Sequence, residues 1–115
     1  MAILGVVIVL AIIGIVIASS GGGNSDPKTA NVTIDVKNAK PVGGVKKINL
    51  KQGGTLFLTV NSDTADEIHV HATDQHKDVG KGGTIKLTIK PTGTGNSEIE
   101  LENHKQQIAE LTIEP

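Results

Sequence analysis

The sequence contains no cysteine, tryptophan or tyrosine, one phenylalanine (Phe57) and one methionine (Met1). Without cysteine there is no disulfide, no thiolate zinc site and no cysteine nucleophile. Without aromatics, a core has to be assembled from valine, isoleucine and leucine, each burying less area than an aromatic ring. The same scarcity, together with a net charge of −1 from interspersed acids and bases, argues against a nucleic-acid partner, which requires a basic face and usually stacking aromatics. Signatures of catalysis are missing as well. No serine sits in a nucleophile elbow, and the Gly-Gly pairs fall in hairpin turns rather than ahead of a helix, so they do not read as phosphate loops. The chain is not expected to be an enzyme.

What is present first is an apolar run, Ala2 to Ala18. As a helix rising 1.5 Å per residue, these seventeen residues span roughly 26 Å, at the short end for crossing a bilayer. An export signal would be cut after small residues such as Val16 and Ala18. However, the basic n-region is missing and the run is longer than a usual h-region, which favours a retained transmembrane anchor. A third reading is a filament subunit of pilin type, because Ala11, Gly14 and Ala18 form a small-residue stripe along which copies of the helix can approach closely. Residues 19–30, SSGGGNSDPKTA, form a flexible Gly/Ser linker, and the folded domain is placed at 31–115.

From Asn31 the hydrophobic period becomes two. Val32, Ile34 and Val36 alternate with polar residues, as do Leu56, Leu58 and Val60, then Ile85, Leu87 and Ile89. Less regular stretches at Val45–Leu50, Asp66–Ala72, Glu98–Glu102 and Ile108–Ile113 complete about seven short strands separated by turn signals. That spacing, with no helical period, predicts an all-β domain, an antiparallel Greek-key β-sandwich.

Three of the four histidines fall in one stretch, Asp66–His76, DEIHVHATDQH. Side chains at i and i+2 of a strand share a face. Glu67, His69 and His71 therefore project together while Ile68, Val70 and Ala72 face the core. Imidazoles beside a carboxylate bind divalent metals through nitrogen and oxygen. Solvated strand histidines are the simpler alternative, and His76 reads as a solvated loop residue. The Glu98, Glu100, Glu102 stripe is either a cation-attracting face or, more simply, the charged outer face of an edge strand.

The order of the pieces LKQGGTLFLTVNSD (Leu50–Asp63), ADEIHVHATD (Ala65–Asp74), GGTIKLTIKPTGTG (Gly82–Gly95) and SEIELENHKQQIAELTIEP, which closes the chain, resembles cupredoxin-like domains. It is most similar to exported ones whose middle strand reads D-E-x-H-x-H-G-Y-D, although Ala72-Thr73 stands where those have Gly-Tyr. The resemblance covers about residues 31 to 115 and implies a cupredoxin-like sandwich. In copper-binding members a Cys-x-x-His pair precedes the last strand, usually followed by a methionine. Here Leu101-Glu102-Asn103-His104 matches that pair with leucine in the cysteine's place. A blue-copper (type 1) centre needs the thiolate, so none can form and electron transfer is not implied.

The expectation is a domain tethered to the cell membrane by residues 2–18 and facing the extracytoplasmic side. It would bind a metal ion such as copper through His69, His71 and His104, with Glu67, His76 or Glu102 beside them as further ligands. The alternative is a surface or filament subunit that self-associates through its N-terminal helix, with the β-domain outward.

Overall fold

The computed structural model describes residues 26–115. Among the described residues there are nine strands and no helix, hence none long and apolar enough to cross a membrane. The N-terminal helix expected from residues 2–18, with the packing stripe Ala11, Gly14 and Ala18, lies outside the described residues.

In chain order the strands are β1 (Thr29–Lys37), β2 (Lys40–Pro41), β3 (Lys46–Lys51), β4 (Thr55–Ser62), β5 (Asp66–Val70), β6 (Gln75–Val79), β7 (Gly83–Ile89), β8 (Gly95–Leu101) and β9 (Gln106–Glu114). They form a four-stranded sheet ordered β2-β1-β4-β7 and a five-stranded sheet ordered β3-β9-β8-β5-β6. Period-two alternation predicts strands but not their direction, and here the purely antiparallel expectation needs correcting. β1 pairs parallel with β4, and β3 pairs parallel with β9. Between β1 and β4 the chain visits the other sheet through β3, so it returns to its first sheet running the same way.

The strand count also exceeds the expected seven. β2 has only two residues. β6, QHKDV, places Gln75 and Lys77 on the same side as Val79, so no apolar alternation marks it in the sequence. It is nevertheless held, pairing with β5 from Asp66↔Val79 to Val70↔Gln75.

One face of each sheet is apolar and the two faces close on each other. The shared core takes Val32, Ile34, Val36, Leu56, Leu58, Val60 and Ile89 from the four-stranded sheet. The five-stranded sheet contributes Ile48, Leu50, Ile68, Val70, Val79, Ile99, Leu101, Ile108, Ala109, Leu111 and Ile113. It is wholly aliphatic. Phe57, the one aromatic, is exposed on the outside of β4. At Ile99/Glu100 the β8–β9 register shifts, pairing Ile99 with Ala109 but Glu100 with Gln107. The bulge lets consecutive residues Ile108 and Ala109 both be buried.

The sheets begin earlier than the expected domain start. The Pro27 carbonyl accepts from Lys51 N–H at 2.8 Å and the Lys28 carbonyl from Thr55 N–H at 2.7 Å, so the last residues of the composition-defined linker are part of the sheet edge. Gly54 permits this approach, since a Cβ there would lie 2.4 Å from the Lys28 carbonyl oxygen.

The β1–β2 hairpin turns on Asn38 and Ala39, both at positive φ (53° and 61°). A two-residue hairpin loop of this kind favours glycine at its second position, and alanine there is strained by roughly 1 kcal/mol. Ala39→Gly is expected to stabilise the domain by about 0.5–1 kcal/mol, part of the gain being offset by lost packing of the Ala39 methyl on the core. Thermal denaturation of the two proteins measures the difference.

Candidate metal centre on the outer face of the five-stranded sheet

The alternation along β5 runs as its sequence implies. Ile68 and Val70 are fully buried, while His69 stands on the outer face and His71, the first residue of the turn after β5, lies beside it, with side chains 17% and 41% exposed. Cross-strand register then collects partners around His69. Its neighbour on β6 is His76 and its neighbour on β8 is Glu100, so His76, His69 and Glu100 form one row across three strands. β8 is the central strand of this sheet, not an edge strand. The carboxylates of Glu100 and Glu102 are therefore delivered to the middle of the histidine face.

The three imidazoles stack. The ring centroid of His69 lies 4.2 Å from that of His71 and 4.0 Å from that of His76, with interplanar angles of 27° and 18°. Carboxylates surround the stack. His69 Nδ1 is 2.9 Å from Glu102 Oε1 and its Nε2 is 3.2 Å from Asp74 Oδ1. His76 Nε2 is 3.2 Å from the same Asp74 oxygen, and His71 Nε2 is 3.2 Å from Glu100 Oε1. Glu67 Oε2 lies 3.6 Å from His76 Nδ1.

Asp74 reaches this position because the β5–β6 turn ends on it at φ 52°, a left-handed conformation that aspartate tolerates better than most residues. The turn is closed by Asp74 N–H donating to the His71 carbonyl.

Two overlapping sets of three side chains place their ligand atoms within 4.8 Å of one another: His69, Asp74 and His76, and His69, His71 and Glu100. His69 is common to both. A neutral imidazole has one donor and one acceptor nitrogen, yet both nitrogens of His69 face carboxylates. Neutral His69 can donate to only one of them, whereas the doubly protonated ring can donate to both.

The titration of these groups follows. Partial burial pushes the His69 pKa down, but its hydrogen bonds to Glu102 and Asp74 outweigh this and hold it above the ordinary histidine value. The Asp74 carboxyl is lowered by hydrogen bonds from His76 and His69, and that of Glu102 chiefly by the bond from His69.

His104 takes a different part. It belongs to neither three-ligand set among the described residues. Its Nδ1 lies 2.5 Å from Oδ2 of Asp66, whose side chain is fully buried. Asp66 Oδ1 also accepts from the backbone N–H groups of Glu67 (2.6 Å) and Asn103 (2.8 Å). Burial pushes the Asp66 pKa up, but the bonds from His104, Asn103 and Glu67 reverse this and leave it lowered.

Of the residues singled out by sequence, the structure thus brings His69, His71 and His76 together with Glu67 at the margin, and engages His104 with Asp66. His76, expected in a loop, is on β6. Asp74 is a member that the sequence does not mark, and Glu100 stands out there only as part of the charged stripe. Asp74 depends on a turn geometry, and Glu100 depends on which strand lies beside β5.

No protein-family model and no curated protein matches the sequence. Solved structures do match in fold. The metal-binding domain of the Cu(I)-exporting P-type ATPase CopA of Streptococcus pneumoniae D39, solved with Cu(I), superposes with a TM-score of 0.63 at 14% identity, over 80% of this chain and 92% of that one. A copper-binding protein solved in its apo form gives 0.60 at 13% identity, over 79% and 93%. Reduced auracyanin from Roseiflexus castenholzii gives 0.57 at 13% identity, over 74% and 97%. The β-sandwich of this chain therefore has the cupredoxin-like fold that its sequence resembles, built without any cysteine.

Proposed function

We propose that this domain binds a divalent metal ion of borderline softness, copper(II) first, on the outer face of its five-stranded sheet, with His69 as the central ligand. The supporting observation is the convergence of His69 Nε2 and His76 Nε2 on one oxygen of Asp74, at 3.2 Å each. Two imidazoles and a carboxylate closing on one point suit Cu(II) or Zn(II), whereas the softer Cu(I) is selected by thiolate and thioether ligands. The chain has neither to offer in the described domain, since it lacks cysteine and its only methionine is Met1. Fold neighbours named as copper-binding proteins support copper as the element, although the CopA domain was solved with Cu(I). The absence of a thiolate makes this a binding module and not a blue-copper electron carrier.

Tethering to a membrane through residues 2–18, with the domain on the extracytoplasmic side, completes the proposal and rests on the apolar run of the sequence.

Calorimetric titration of the full-length chain in detergent micelles with Cu(II), against a His69→Ala/His71→Ala variant, tests the site. We expect one ion per chain for the parent, and an affinity weakened by at least about a hundredfold for the variant, as fits losing two of the imidazoles. Equal binding by both proteins would remove the assignment.

A further inference from the structure

Resting on the metal-binding reading above, we propose that Glu102 is the positioning residue of the site. It takes the proton of His69 Nδ1 and so leaves Nε2 as the atom offered to the metal.

Both ring nitrogens face carboxylates, which only accept, but Nδ1 makes the shorter contact, 2.9 Å to the half-buried Glu102 against 3.2 Å from Nε2 to the exposed Asp74, so the single hydrogen of the neutral ring is assigned to Nδ1. With Nδ1 protonated, the free lone pair of neutral His69 is on Nε2. That is the nitrogen facing Asp74 Oδ1, on which His76 Nε2 also converges. The opposite tautomer would donate from Nε2 to Asp74 and turn the metal-binding lone pair towards Glu102, away from His76. A carboxylate that holds the non-ligating nitrogen of a histidine fixes both tautomer and ring orientation.

The position of Glu102 is itself determined. It opens the turn between β8 and β9, and its N–H donates to the Glu67 carbonyl at 2.8 Å. The next residue, Asn103, donates its N–H to Asp66, and His104 bonds the other oxygen of the same carboxylate. The turn then closes through Lys105 at φ 53°. Asp66 and His69 are three residues apart on β5, so one strand carries both the imidazole and the anchor of the turn that presents its partner. This gives the buried Asp66 and the half-exposed His104 a purpose that neither has as a ligand.

The tautomer of His69 can be read in the metal-free protein, independently of any metal affinity, from long-range proton–nitrogen NMR correlations on the 15N-labelled full-length chain at alkaline pH, where the ring is neutral. We expect the Nδ1–H form for the parent and for Glu102→Gln, which keeps an acceptor oxygen, and a shift towards the Nε2–H form for Glu102→Ala. In a Zn(II) titration of the same samples, Glu102→Ala should bind roughly tenfold to a hundredfold more weakly, while Glu102→Gln stays within a few-fold of the parent. An Nε2–H parent, or a tautomer indifferent to Glu102→Ala, overturns the positioning role even if zinc binds well. The expected tautomer shift with no zinc uptake by the parent overturns the metal reading and leaves the Glu102–His69 assignment standing.

Discussion

Asp66→Ala is expected to be among the most damaging single substitutions in the domain, costing roughly 3 kcal/mol, about 15 °C in melting temperature for a domain of this size. Asp66 lies on the inward side of β5, in register with Ile68 and Val70, at the end of the strand where the core gives way to the β8–β9 turn. Its carboxylate joins three donors: the N–H of Glu67, the N–H of Asn103 and His104. Alanine would remove the shared acceptor of two part-buried backbone donors and the partner of a half-exposed imidazole, and a donor left unsatisfied away from water costs more than a hydrogen bond gains.

The pH dependence has a definite sign. The folded-state pKa of Asp66 is depressed, so its contribution is present above the unfolded aspartate value of ~3.9 and is lost as pH falls through the folded value. The parent should therefore lose stability over that acid range more steeply than Asp66→Ala, while Asp66→Asn, which keeps one acceptor oxygen but cannot titrate, should be intermediate in stability at neutral pH and as flat as Asp66→Ala over the acid range. Denaturant unfolding at a series of pH values measures all three. A parent and an Asp66→Ala variant of equal stability at neutral pH would show that the pair is not a clamp.

Acidification should weaken Cu(II) binding by about tenfold per pH unit once His69 holds its proton, and so by about a hundredfold across two units, because the metal must displace that proton. Nε2 of His69, the nitrogen offered to the metal, is the one that gains a proton when the ring becomes cationic. His69 is raised above the ordinary histidine value by Glu102 and Asp74, so the competition begins at higher pH than for a free imidazole. Without metal, the same group acts on stability in the opposite direction. A histidine with a raised folded-state pKa contributes its ion-pair stabilisation fully below ~6.5 and loses it as pH rises through the folded value. Metal-free protein should thus become less stable on going alkaline through that window, while the extra stability conferred by bound copper should grow. Isothermal titration at several pH values, paired with melts with and without Cu(II), separates the two effects. An affinity independent of pH across the histidine range would contradict coordination by His69.

The parts of this structure that were legible in the sequence are those set by local period. The alternation of Ile68 and Val70 with His69 and His71 fixed which face of β5 carries the imidazoles. The valine, isoleucine and leucine triplets of β1, β4 and β7 located three core strands directly. The LENH tetrapeptide, with leucine for cysteine, excluded a blue-copper centre whatever the fold. What escaped depends on neighbours distant in the chain. β6 was hidden because Gln75 and Lys77, polar residues, stand in alternation with Val79, and with it went His76, which stacks on His69 only through the hairpin register. The glutamate stripe of β8 has the composition of an edge strand, yet β8 lies between β9 and β5, and strand order is a global property that no window of residues reports. Asp74 joined the site through a backbone angle at the end of a turn. His104 illustrates the converse. Its place in the LENH pattern suggested a ligand, whereas the aspartate three residues before His69 engages it instead.

Pulsed electron paramagnetic resonance of the Cu(II)-loaded chain, which detects coordinated imidazole directly, distinguishes the stacked face from the β8–β9 turn as the metal site. The structure predicts that the imidazole signal persists in His104→Ala and is lost or sharply reduced in His69→Ala. Loss of the signal in His104→Ala with its retention in His69→Ala would contradict a metal centre on the outer face.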